Sequence, residues 1–152
     1  MPYDLLIKNV RVVRPGARTV EDADIAITGE KFARIDRSLP AGEAKTVYDG
    51  KGWLAFPGVV DAHMHTGIYS PLEEDAVSES RAAAQGGVTT SLNYWRTGQY
   101  YLNRGGPYRE VFPEVLKISA GRFHVDYGYH LAPMASGHMA EIPELVDKHG
   151  VS

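Results

Sequence analysis

Through the first fifty positions hydrophobic and polar residues alternate in short runs, Leu5–Val13, Asp24–Thr28, Lys31–Ile35 and Thr46–Tyr48. Alternation of period two puts one set of side chains on each face of an extended chain, so these runs predict strands. Gly29-Glu30 separates the second and third by the two residues of a tight hairpin, and Pro15-Gly16 and Pro40-Ala41-Gly42 mark the other turns. The expectation is a small antiparallel β unit. Asp49-Gly50-Lys51-Gly52 then leads into an apolar run, Trp53–Val60, and beyond Pro57 strands alternate with helices. A strand over Val59–His65 precedes a helix over Leu72–Gln85, whose first turn holds Glu73, Glu74 and Asp75 and which Gly86-Gly87 stop. A β-branched strand over Val88–Asn93, a helix over Tyr108–Ser119, a strand over His124–Leu131 and a helix over Ile142–His149 follow. Val151-Ser152 reads as the start of another strand. Repeated strand and helix predict a parallel sheet or barrel with right-handed crossovers.

Composition narrows the function classes. The 152 residues are 43% hydrophobic and carry a net charge of −3 with both signs interspersed, an ordinary globular balance. No basic stripe marks a nucleic-acid surface. No apolar stretch reaches the roughly 20 residues of a membrane span, and Met1-Pro2-Tyr3-Asp4 lacks the basic-then-apolar form of a secretory signal. With no cysteine there are neither disulfides nor thiolate metal sites, which fits a reducing cytoplasm, the expected location.

The chemistry concentrates in Asp61-Ala62-His63-Met64-His65. On a strand Asp61, His63 and His65 project from one face, and two imidazoles at i and i+2 can close on one divalent ion, for which zinc is a good match. A bare His-x-His is equally a polar surface strand. The apolar run in front of it weighs toward the ligand pair.

A closed barrel of eight βα units takes about 250 residues, whereas the segment after Pro57 holds about three units and a strand start. The expectation is a chain that stops partway through such a barrel, with an open three- or four-stranded α/β domain as the alternative. The β unit before Pro57 is marginal by itself and is expected to borrow surface from the following domain or from further sequence.

Phe56-Pro57-Gly58-Val59-Val60-Asp61-Ala62-His63-Met64-His65, the β unit before it, and Arg81-Ala82-Ala83-Ala84-Gln85-Gly86-Gly87-Val88-Thr89-Thr90 together resemble the N-terminal third of an amidohydrolase-superfamily enzyme. The resemblance is to the branch of dihydropyrimidinases, hydantoinases, allantoinases and dihydroorotases. It implies an α/β metal-dependent hydrolase with a (β/α)8 TIM barrel beside a β-sandwich built from both chain ends. Residues 1–56 would be the N-terminal part of the sandwich, and 57–152 the first three to four βα units of the barrel. His63 and His65 are the implied metal ligands, with Asp61 as a supporting residue. The implied cofactors are two divalent ions, zinc by expectation, bridged by a carbamylated lysine just after Ser152. A proton-shuttling aspartate is likewise expected beyond Ser152.

The implied reaction is hydrolysis of the amide bond of a cyclic amide, imide or ureide by a metal-bridged hydroxide. Dihydroorotases resembling this family carry an arginine two residues after the second histidine, where this chain has Gly67, so that substrate is disfavoured. In the loop Thr66–Pro71, Ile68 and Tyr69 are the candidates for the substrate wall. Trp95, Tyr100 and Tyr101, with Arg96 and Arg104, are expected at a subunit contact of a homo-oligomer, a dimer or tetramer. His130 is expected to be a packing residue, and His124, His138 and His149 to be solvated. Glu73, Glu74 and Asp75 carry no assigned chemistry. A metal-dependent deaminase or N-acyl deacylase, and a non-enzymatic dihydropyrimidinase-like assembly protein, are the alternatives.

Overall fold

A computed structural model describes residues 2–98 and 105–151. Tyr100, Tyr101 and Arg104 lie outside the described residues. The chain divides into two compact units, Met1–Pro57 and Gly58–Ser152.

The first unit is one five-stranded sheet: β1 (Tyr3–Arg14), β2 (Thr19–Thr28), β3 (Lys31–Asp36), β4 (Ala44–Asp49) and β5 (Leu54–Ala55). β1, β2 and β3 form the expected antiparallel meander, with Gly29 in the left-handed region at φ 58° in the turn from β2 to β3. The fourth and fifth strands depart from expectation, because both run parallel to β1. From β3 the chain crosses to the far side of β1, and a parallel strand can be reached only by such a crossover. Leu39 in the crossover is buried with Leu6, Ala26 and Ala44, a small core that the alternation along the strands does not reveal.

A buried carboxylate fixes that crossover. Asp24 on β2 accepts the Lys8 ammonium at 2.6 Å and the backbone N–H groups of Leu39 and Asn9 at 2.8 and 2.9 Å. Asn9 itself sits at φ 55°, where the pairing of β1 with β2 slips, so one side chain stabilises both a bulge and a crossover. Burial alone would raise the Asp24 pKa, but Lys8 and the two backbone donors outweigh it and hold the carboxyl below its ordinary value.

The second unit is a three-stranded parallel sheet, β6 (Val59–Met64), β7 (Val88–Trp95) and β8 (Asp126–Leu131), in sequence order. Helices α1 (Leu72–Gln85) and α2 (Tyr108–Ser119) form the crossovers, and α3 (Ser136–Met139) and α4 (Ile142–His149) follow β8. The buried residues of α2, Tyr108, Val111, Phe112, Val115 and Ser119, recur at three and four positions and make the apolar stripe of a sheet-covering helix. Tyr108, Val111, Phe112 and Val115 pack with Trp95, Leu72, Ile68 and Leu145. Gly150 ends α4 at φ 63°, as a left-handed cap does. Among the described residues no helix is long and apolar enough to cross a membrane.

The apolar run Trp53–Val60 is not one strand. Leu54–Ala55 pairs with β1 in the first sheet, and Val59–Val60 begins β6 in the second. The break falls at Pro57-Gly58, and the glycine there answers to packing: a Cβ at Gly58 would lie 2.2 Å from Thr89 Oγ1 and 2.8 Å from Thr89 Cβ.

Replacing Asp24 by Ala leaves the Lys8 ammonium and two backbone donors without their acceptor and is expected to cost about 3 kcal/mol in urea unfolding. Because the folded pKa lies below the unfolded one, this carboxylate's contribution is complete above the ordinary carboxylate range and is lost as pH falls through the folded value. Asp24→Asn should therefore show a flatter loss of stability below about pH 4 than the parent.

Candidate metal centre

The two histidines of the motif sit where β6 ends. His63 lies on the strand and His65 just past it, and their Nε2 atoms converge to 3.0 Å. Simple alternation does not hold throughout, since the pairing with β7 slips between Asp61 and Met64. At that slip Asp61 Oδ1 accepts the His63 backbone N–H at 3.1 Å, so the carboxylate is engaged by its own strand. Without a ligand, one imidazole N–H donates to the other ring's lone pair. Two nitrogens of a tetrahedral zinc site lie about 3.3 Å apart, so a small opening of this pair admits a divalent cation. Among the described residues no group of three or more His, Asp or Glu side chains forms a complete site. The pair by itself offers two of the four ligands that a tetrahedral ion takes.

The end of β6 is anchored by buried polar bonds that the sequence reading passed over. Thr66 Oγ1 donates to Asn93 Oδ1 at 2.7 Å, and Asn93 Nδ2 donates to the Gly128 carbonyl at 3.1 Å, so one fully buried amide on β7 links the end of β6 to the middle of β8. Gly67, at φ 77°, donates its N–H to Asp75 Oδ2 at 2.9 Å. Asp75 is thus no solvated first-turn acid. It is buried and holds the loop that follows His65. The available signal was an Asn closing a β-branched run that the structure extends to Trp95, where a buried amide demands partners.

The loop candidates separate. Ile68 is 3% exposed and packs in the core with Leu72, so its side chain is no substrate wall. Tyr69 is 73% exposed, with its ring centroid 6.2 Å from that of His65. Trp95 is also corrected: it is fully buried, 4.3 Å in ring centroids from Tyr108 and 4.8 Å from Phe112, a core residue and no contact surface. His138, expected to be solvated, stacks on Tyr108 at 3.7 Å, accepts the Met134 N–H and bonds the Gly106 carbonyl. His130, whose ring centroid is 4.7 Å from that of His63, stands beside the histidine pair. Burial, and then His63 and His65, hold its pKa below the ordinary value.

No family model matches the chain. It is 43% identical over 95 residues to an allantoinase of Salmonella newport, a match covering 60% of this chain and 20% of that protein. Its fold superposes on L-hydantoinase (dihydropyrimidinase) from Arthrobacter aurescens with a TM-score of 0.74 at 28% identity, over 95% of this chain and 31% of that one. Dihydropyrimidinase from Brevibacillus agri gives 0.74 at 27% identity, over 96% and 31%. By these likenesses the chain resembles the amidohydrolase superfamily. It spans between a fifth and a third of the length of these relatives. The glycine of the Pro-Gly element is Gly58 at the foot of β6, and the two histidines are the converging pair at its end.

Two substitutions test the anchoring. Asn93→Ala strands the Thr66 hydroxyl and the Gly128 carbonyl in the interior and should cost about 2 kcal/mol or more in urea unfolding. Gly67→Ala places a side chain at positive φ and should cost about 1 kcal/mol by the same measurement.

Proposed function

We propose that the protein is a metal-dependent hydrolase that opens the amide bond of a cyclic amide, imide or ureide, as a hydantoinase, dihydropyrimidinase or allantoinase does. The observation that carries this reading is the 3.0 Å convergence of His63 and His65 Nε2 at the end of a parallel strand, in a chain similar to such enzymes. Residues 1–56 are read as the N-terminal part of a β-sandwich, and 57–152 as the first units of a (β/α)8 barrel. The β6–β7–β8 order with helical crossovers is what the first units of such a barrel would show, and His63 and His65 lie at a C-terminal strand end, where active sites of that fold sit.

His63 and His65 are the metal ligands in this reading. A divalent ion held there supplies an acidified water and polarises the substrate carbonyl. To hold the ion both Nε2 atoms would present their lone pairs, with each ring proton on Nδ1. Asp61 fixes the His63 backbone, and the Thr66–Asn93 bond fixes the strand end, so the pair is held in place before the cation arrives. Tyr69, exposed beside His65, is the proposed substrate wall. Gly67 presents only backbone, and its N–H is taken by Asp75, so this position offers no cationic side chain to a substrate carboxylate. That favours a neutral ring over an acidic one.

Two ions, zinc by preference and bridged by a carbamylated lysine, are the finer reading, which rests on the resemblance. The two lysines of the second unit, Lys117 and Lys148, lie on helices α2 and α4, so neither is placed to be that bridge. A homo-oligomer in the cytoplasm is the expected assembly and location.

Full-length protein purified without chelator should hold about two equivalents of zinc per subunit by elemental analysis and should turn over hydantoin, dihydrouracil or allantoin. His63→Ala should lose both properties while unfolding at a similar temperature. A parent protein that takes up no metal overturns the assignment.

A further inference from the structure

Tyr94 on β7 and His130 on β8 are directly paired neighbours in register, so their side chains share the sheet face on which the motif histidines meet. The four rings form one cluster. Tyr94 lies 5.5 Å from His63, 5.0 Å from His65 and 6.0 Å from His130 between ring centroids, and His63 lies 4.7 Å from His130. Within it, His130 Nε2 is sealed from solvent and has no hydrogen-bond partner among the described residues. Leaving a ring nitrogen dry and unpaired destabilises the fold, and such an atom calls for a partner that a fuller state of the site provides. A phenylalanine could pack in the same place without that penalty.

We propose that His130 is a positioning residue of the His63/His65 centre, packing its ring on His63 and presenting Nε2 as the hydrogen-bond partner of an oxygen donor that enters with the cation. The inference deepens the metal-dependent reading above and rests on it. Acting beside the ligands, His130 orients His63 and stabilises the loaded state, as groups around metal ligands do in general.

The test uses full-length protein and two variants. Zinc affinity is read by competition with a chromogenic chelator, and unfolding temperature is read on metal-free samples. His130→Phe keeps the ring and discards the nitrogen. It should unfold at or above the parent's temperature yet bind zinc about tenfold or more weakly. His130→Gln, which carries an amide toward the Nε2 position, should recover part of that affinity. Zinc binding by His130→Phe within twofold of the parent overturns the inference and leaves the metal reading standing. So does a matching loss of affinity and of metal-free stability in both variants, which marks a purely structural residue. If His130→Phe does not fold, His130→Leu takes its place under the same criteria. A parent that binds no zinc overturns both readings.

Discussion

The whole arrangement at the strand ends depends on one bond that water does not reach, from the Thr66 hydroxyl to the Asn93 amide oxygen. A strand that ends in exposed histidines has little apolar surface to hold its last residues down. The amide compensates by reaching three strands at once, since its nitrogen also engages Gly128. In the dry interior such a bond is stronger than at the surface, and failure to make it is correspondingly costly. The rings of His63 and His65 are therefore presented by a rigid terminus, and Gly67 and Asp75 continue that restraint into the loop.

How much of this could be read from the sequence depends on the range of the cause. The bounds of α1, α2 and α4 follow from local facts: acids in a first turn, residues recurring at three and four positions, and a glycine stop. The meander β1–β2–β3 follows from alternation and the Gly29 turn. The parallel placement of β4 and β5 does not, because a three-residue alternating run looks alike whichever neighbour it joins, and here Asp24 and Leu39 make that choice from a distance. The apolar run before the motif is unbroken in hydrophobicity, and its division between two sheets has no local sign other than Pro57-Gly58.

The same logic sorts the site residues. His63 and His65 announce themselves by spacing. Ile68, Trp95 and His138 sit in segments that look like loops and element edges, and their burial is decided by the core around Phe112 and Tyr108, which lies far along the chain. His130 was discounted because a lone histidine has no partner in one dimension. Its neighbours come from β6 and β7, and only the parallel register brings them together.

The motif glycine deserves a separate reading. Gly58 is required because Thr89 occupies the space its Cβ would need, and because Thr89 Cβ itself is too near, trimming the threonine to alanine would not relieve the conflict. A side chain at position 58 would need a glycine at position 89 or a shift of the strand. The glycine of the motif is thus a record of how two strands touch at their foot, at the opposite end of β6 from the histidine pair. A variant with both histidines exchanged for inert residues would still need that glycine for its two strands to pair, so the glycine reports on packing and only the histidines speak of chemistry.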